Sequence, residues 1–125
     1  MSTYRFEGTP TNTQRRVIAV GTKGKAKDLQ AFVGPCVLVS VTFRNLSTDQ
    51  REPQVHDSAS TPLDGTAPDM VPLPVAPGDP YSFATTQARE FRNGIYVCSS
   101  TTPDTKTLTG AADAIIEVEF YEGTA

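Results

Sequence analysis

Apolar and polar residues alternate most regularly in residues 36–44, which read CVLVSVTFR. The two faces of this alternation are Val37, Val39, Val41 and Phe43, and Cys36, Leu38, Ser40 and Thr42. A period of two is typical of a β-strand with one buried face. The pattern therefore predicts a half-buried strand in this part of the chain.

The last third of the chain, residues 91–121, contains a second strong pattern. It predicts two long strands, FRNGIYVCSS and IIEVEFYE, joined by a polar connection. In the second strand the apolar residues are expected to point inward and the acidic residues outward. These two sets are Ile116, Val118 and Phe120, and Glu117 and Glu119. We expect the apolar segments upstream to complete the sheets that this pair begins.

Weaker patterns predict the remaining elements. Short apolar runs bounded by turn residues predict strands at residues 16–20, 53–57 and 81–85. In residues 69–76, DMVPLPVA, the prolines cannot donate to a ladder, so we expect a sheet edge or a polyproline-like extension with its three alternate apolar residues on one face. Residues 25–32 fit a short helix and an extended segment equally well.

The composition and the strand count together predict the fold class. Ten prolines and nine glycines indicate frequent turns between short strands. We predict an all-β, single-domain two-sheet sandwich or jelly-roll-like barrel of about seven to eight short strands. Residues 1–15 are predicted to form an N-terminal arm, and residues 16–125 the β-sandwich domain.

Length and charge limit the classes of partner. A chain of 125 residues, 38% hydrophobic and 20% charged, fits one folded domain. The net charge of −3 and the pI near 5.0 argue against nucleic acid as a partner. No apolar run reaches the roughly 18 residues of a membrane span, and no apolar leader opens the sequence. We therefore expect synthesis in the cytoplasm and no membrane partner.

The residues capable of catalysis or metal binding do not form a convincing site. His56, Asp57 and Ser58 have the residue types of a hydrolytic triad, but neighbours on an extended chain point to opposite faces. We interpret His56 as a surface or cross-strand polar group. Four aspartates in or beside loops lack the spacing of a calcium loop: they are Asp57, Asp64, Asp69 and Asp79. The chain is therefore expected to have no enzymatic activity, metal or cofactor.

The two cysteines, Cys36 and Cys98, both lie in apolar strand patterns. Buried free thiols are the simplest interpretation of such positions. A disulfide between the two remains open at this point, because two cysteines do not define a disulfide framework. No CxxC pair or Cys/His cluster indicates a metal.

Five short stretches of the chain follow one another in a characteristic order. They are VTFRN at residues 41–45, VHDSAS at 55–60, PLPVAPGDPYSF at 72–83, FRNGIYVCSSTT at 91–102 and ADAIIEVEFYE at 112–122. Together they resemble a group of small all-β virion proteins encoded by tailed bacteriophages. The resemblance covers residues 36–122 and carries no catalytic residue.

This resemblance implies a non-enzymatic structural protein of the virion. Its first form is a capsid decoration, or cement, protein that sits over junctions between major capsid protein subunits. Such a protein binds only the expanded shell and so stabilises it by mass action. The implied partners are the major capsid protein and further copies of the chain, in a homo-oligomer for which a trimer is one candidate.

Contact with the shell is expected from the arm and from the loop at residues 58–68. Aromatic and arginine side chains dominate the energies of most interfaces, which favours three anchors near the N-terminus. The residues expected to bind the partner are Tyr4, Phe6 and Arg15, and Pro62, Leu63 and Asp64 in the loop.

Two other functions stay open for the same sandwich. A tail, neck or baseplate component belongs to the same broad class of virion proteins. A carbohydrate- or host-receptor-binding module belongs to another class, and it would use tyrosines as a stacking platform. The candidates for that platform are Tyr81, Tyr96 and Tyr121.

Overall fold

The computed structural model describes residues 15–123, and for residues 15–19 and 83–88 it describes the backbone alone. Within this range the seven strands are β1 (Arg15–Gly21), β2 (Asp28–Val33), β3 (Cys36–Asn45), β4 (Glu52–Asp57), β5 (Pro80–Phe91), β6 (Gly94–Ser100) and β7 (Ala114–Glu122). Residues 28–33 are thus extended, which resolves the choice between helix and strand. Nowhere in residues 15–123 is there a helix that could cross a membrane.

The strands form two antiparallel sheets, which confirms the all-β sandwich. Sheet A has the order β1-β7-β3-β5, and sheet B has the order β2-β6-β4. Residues 69–76 lie along the outer edge of β4 through isolated bridges. Every two consecutive strands lie in different sheets, as is common in jelly rolls. The two sheets remain open, so the barrel alternative is wrong.

The two strands of the last third occupy the centres of different sheets. β6 lies between β2 and β4, whereas β7 lies between β1 and β3. Ile116, Val118 and Phe120 are buried between the sheets, while Glu117 is exposed and Glu119 half-buried. The upstream strands thus complete both sheets around this pair, and the predicted inward face of β7 is confirmed.

The first strand of that pair begins later than predicted. Phe91 ends β5, and the chain turns at Arg92 and Asn93 before β6 starts at Gly94. The carboxylate of Asp57 accepts the three backbone N–H groups of residues 92–94 at 3.1, 2.8 and 3.3 Å. Asn-Gly is a strong turn signal. The apolar residues on both sides of it made the stretch resemble a single strand.

Strand β3 contains a β-bulge that the alternation did not predict. Its pairing with both β5 and β7 shifts register at Val39. An extra residue at a bulge moves the side chains beyond it to the other face. Cys36 and Leu38 consequently share the core with Val41 and Phe43. The division into two faces predicted from strict alternation is therefore wrong.

The apolar core fills the space between the sheets. Its members are Cys36, Leu38, Val41, Phe43, Val55, Val75, Phe91, Ile95, Val97, Ala114, Ile116, Val118 and Phe120. Phe32 of β2 packs against Phe120 of β7 with ring centres 5.1 Å apart, which joins the two sheets. Cys36 and Cys98 are both buried free thiols, as predicted. Burial raises the pKa of each thiol to about 12.

The proline-containing segment at residues 69–76 lies at a sheet edge, as predicted. Its side chains are not arranged as predicted, however. Val75 is buried in the core, whereas Val71 and Leu73 are exposed. The three residues therefore do not share one buried face. Isolated bridges replace a continuous ladder because proline has no N–H to donate.

Candidate functional site

The loop at residues 58–68 presents a large apolar side chain to solvent. Leu63 is 82% exposed, the highest value among the large hydrophobic residues that the structure describes. The N–H and hydroxyl of Thr66 both donate to the Leu63 carbonyl, at 3.2 and 2.7 Å. Gly65, with φ of 95°, permits this tight turn. The side chain of Asp64 beside it is 60% exposed.

A buried lysine fixes this loop. The side chain of Lys106 is only 3% exposed. Its Nζ donates to the Pro62 carbonyl at 2.7 Å and to Asp64 Oδ1 at 3.3 Å, and it lies 5.7 Å from the centre of the Tyr96 ring. Two backbone hydrogen bonds also join residue 106 to residues 65–66. An unpaired buried ammonium is strongly unfavourable, so these contacts hold the loop in place.

Gln54 fixes the neighbouring loop, at residues 101–110. It is completely buried on β4. Its Nε2 donates to the carbonyls of Thr102, Pro103 and Thr105 at 2.8, 3.1 and 3.0 Å. Two amide hydrogens thus serve three acceptors in a shared arrangement. The loop that carries Lys106 is therefore attached to the outer face of sheet B.

His56, the only histidine, is buried beside this amide. Its Nε2 lies 3.2 Å from Gln54 Oε1, and its ring meets the Tyr96 ring edge-on at 5.9 Å. Burial lowers the pKa of His56, Asp69 acts in the opposite direction, and Lys106 lowers the pKa further. Gln54 Oε1 can only accept, so the neutral imidazole carries its proton on Nε2. The cross-strand interpretation of His56 is confirmed, and the surface interpretation is wrong.

Tyr96 completes the buried polar layer on this face of sheet B. Its hydroxyl donates to Asp28 Oδ2 at 2.7 Å. Burial raises the pKa of Tyr96, and the hydrogen bond to Asp28 raises it further. The hydroxyl therefore stays protonated, and Tyr96 is unavailable for stacking on a ligand. A tyrosine platform would have to use Tyr81 and Tyr121, which are both half-buried.

The three triad residue types have separate partners. His56 faces Gln54, and the Asp57 carboxylate accepts the backbone N–H groups of the turn before β6. Ser58 Oγ donates to the Ser60 carbonyl at 2.6 Å. Between residues 15 and 123, no hydrogen bond links any two of the three side chains. A proton relay from serine through histidine to aspartate therefore does not form.

The four loop aspartates also have separate roles. Asp57 binds the turn before β6, Asp64 pairs with Lys106, and Asp69 Oδ2 accepts the backbone N–H of Asp57 at 2.7 Å. Asp79 is exposed in the turn before β5. In the part of the chain that the structure describes, no three His, Cys, Asp or Glu side chains form a group suited to a metal ion.

Three of the six residues expected to bind a partner come together on one turn. They are Pro62, Leu63 and Asp64, all in contact with or adjacent to the Lys106 anchor. Arg15 opens β1 opposite Glu122, and its side chain is not described. Tyr4 and Phe6 lie outside the described residues. Sequence reasoning missed Lys106 because a lone lysine in a polar loop is usually solvent-exposed.

Acidification is expected to destabilise the protein through His56. The unfolded histidine has a pKa near 6.5 and the folded one a lower pKa, so below about pH 6.5 the unfolded chain binds a proton that the folded chain does not. Unfolding in urea should show a loss of stability between about pH 7.5 and about pH 5.5. His56→Gln, which cannot titrate, should show a smaller loss. An equal loss in this variant would contradict the assignment.

The chain was compared with protein-family models, with curated proteins and with solved structures, and none of them matches. No relative therefore assigns a role to any residue of this site. Its features are an apolar side chain exposed at the tip of a turn and a buried lysine that holds this turn.

Proposed function

We propose that the chain is a non-enzymatic virion structural protein, a capsid decoration protein that binds and stabilises the shell of major capsid protein. The resemblance of residues 36–122 to small virion proteins of tailed bacteriophages supports this function. The observation that carries it is the Leu63 turn, an exposed apolar side chain held in place by buried Lys106. Its partner in the virion is the outer surface of the expanded shell.

A fixed turn of this kind is suited to protein binding. Leu63 exposes most of its side chain, and burying a leucine contributes about 1.5–3 kcal/mol. The turn is already ordered by its own hydrogen bonds and by Lys106. Binding therefore loses little conformational entropy in the loop. The half-buried Pro62 and the exposed Asp64 complete the proposed contact on this turn.

Stabilisation of the shell follows from selective binding. A protein that binds the expanded shell and not its dissociated subunits lowers the free energy of the intact shell. Several copies around a junction add their contributions. We propose that the decoration unit is a homo-oligomer, and that Tyr4, Phe6 and Arg15 contribute a second contact from the arm region.

The test is binding to expanded, undecorated shells assembled from the major capsid protein of the same genome. The purified protein is expected to pellet with these shells and to raise their melting temperature. Leu63→Ser should weaken binding roughly tenfold or more, because the variant no longer buries a leucine side chain in the interface. Leu63→Met keeps an apolar side chain of similar volume and should bind nearly as well as the wild type.

Fractionation of virions separates the alternatives. Recovery in isolated tails, with no binding to shells, would overturn the decoration function in favour of a tail, neck or baseplate component. Binding to a glycan in place of both structures would favour the receptor-binding module. That second result is disfavoured by the burial of Tyr96.

A further inference from the structure

Residues 69–76, which we call the edge segment, are attached to β4 at two points. Met70 and Val55 exchange two backbone hydrogen bonds, of 3.0 and 2.9 Å, and Val75 and Arg51 exchange another two, of 2.9 and 3.0 Å. Met70 also packs against the core, and Val75 is a member of it. Both ends of the edge segment are therefore fixed to the sandwich.

The part between these attachments is apolar and exposed. Val71 is 47% exposed and Leu73 is 65% exposed. Pro72 and Pro74 have no N–H, which prevents a continuous ladder with β4. The two prolines also restrict the backbone before any partner binds, and such pre-ordered segments lose little entropy on binding. The edge segment is thus a rigid apolar ridge.

Most of the exposed large apolar side chains lie in one stretch of the sequence, residues 63–73. Among the residues that the structure describes there are four, and Leu63, Val71 and Leu73 are three of them. The fourth, Val33, ends β2 at the opposite edge of sheet B. Single exposed apolar residues are ordinary, whereas a local concentration of them points to an interaction surface.

The charged residues in the part of the sequence that contains the edge segment are all acidic. Between Arg51 and Arg89 the sequence has no lysine or arginine, and its acidic residues are Glu52, Asp57, Asp64, Asp69 and Asp79. Asp69 and Asp79, which flank the ridge, are exposed. Arg51 is buried and pairs with Asp113 at 3.1 Å, so it presents little charge to solvent. Arg89 donates to the Asp69 backbone carbonyl at 3.2 Å.

From these features we propose that the edge segment docks into an apolar groove with a basic rim on the shell protein. Val71 and Leu73 fill the groove, and Asp69 and Asp79 face the lysine or arginine side chains of its rim. This contact rests on the proposed function, because it names the surface that the decoration protein recognises. If the ridges of two copies of the protein met, their acidic residues would lie close together, and this repulsion disfavours such a contact.

The test compares matched variants of the full chain in the shell-pelleting assay. Leu73→Asp is expected to weaken binding roughly tenfold or more, because it removes an apolar contact and places a charge in the groove. Val33→Asp makes the same kind of change at the opposite edge of the sheet and should bind within about twofold of the wild type. Both positions are exposed, so neither substitution should measurably shift the urea midpoint of unfolding.

A second pair of variants tests the basic rim. Asp79→Asn is expected to weaken binding several-fold at low salt and to reduce its dependence on salt concentration. Asp104→Asn removes an exposed carboxylate from a different loop and should leave both properties unchanged. Equal effects of the two substitutions would show that shell binding depends only on the net charge of the protein. That result would contradict the proposed contact between Asp79 and a basic rim.

The possible failures can be told apart. If the wild type and Leu73→Asp bind shells equally well, the docking of the edge segment is wrong and the proposed function stands. If the wild type does not bind shells, the proposed function itself fails. If Leu73→Asp abolishes self-association of the free protein while shell binding per chain is unchanged, the ridge contacts another copy and the assignment to the shell is wrong.

Discussion

Gly94→Ala is expected to lower the free energy of unfolding by about 3 kcal/mol or more. Gly94 is buried at the start of β6 and has a φ of 152°, a backbone conformation that residues other than glycine rarely adopt. A Cβ there would collide with the Phe32 carbonyl and would lie 2.8 Å from the Ser58 carbonyl. Backbone strain and overpacking each cost about 1–3 kcal/mol. Because both obstacles are backbone atoms, neither can rotate away.

Unfolding in urea measures this loss, and Gly24→Ala is the matched control. Gly24 is exposed, has no positive φ, and has no atom within 4 Å of an added Cβ. Its replacement should change stability by less than about 1 kcal/mol. A similarly small loss for Gly94→Ala would show that β2, the loop at residues 58–68 and β6 are packed less closely than the structure indicates.

Gln54→Ala is expected to cost about 3 kcal/mol and to release the loop at residues 101–110. The substitution removes the donor of three carbonyls, the acceptor of His56, and buried side-chain volume. Each unsatisfied polar group that stays buried costs about 1–3 kcal/mol, and the cavity adds to the loss. Because this loop carries Lys106, the Leu63 turn should loosen with it.

Two measurements separate loop release from general destabilisation. Hydrogen exchange of the amides of Gly65 and Lys106, which bond across the two loops, should accelerate more than that of the β7 amides. Gln50→Ala is the control, because Gln50 is exposed and its side chain bonds only to Glu52 among the described residues. Uniform acceleration in Gln54→Ala would contradict a specific role in holding the loop.

Strands with an uninterrupted local pattern could be predicted from the sequence. In β7 every second residue from Ile116 is apolar, and burial follows that alternation. β4 was also predicted nearly to its bounds. In β3 the prediction failed at Val39, since a bulge depends on how the strand pairs with both neighbours. The same holds for the turn before β6, where the Asp57 carboxylate comes from a distant strand.

The exposed turn of the candidate site could also be predicted from the sequence, whereas the buried residues that hold it in place could not. Turn-forming residues around Leu63 indicate an exposed loop whatever the rest of the chain does. Lys106 and Gln54 are buried only because a second loop covers the outer face of sheet B. Their sequence neighbourhoods are those of solvent-exposed polar residues. No local pattern distinguishes a buried lysine from an exposed one when its partners lie about 40 residues away.

The sequence by itself determined the fold class, the inward face of β7 and the position of the exposed loop. These follow from periodicity and turn chemistry, which act over a few residues. Only the tertiary structure decided that the last two strands lie in different sheets and that His56 is buried. It also decided that Lys106 holds the Leu63 turn. Those outcomes depend on contacts between distant segments, whose free energies arise only when the two sheets and their covering loops are assembled.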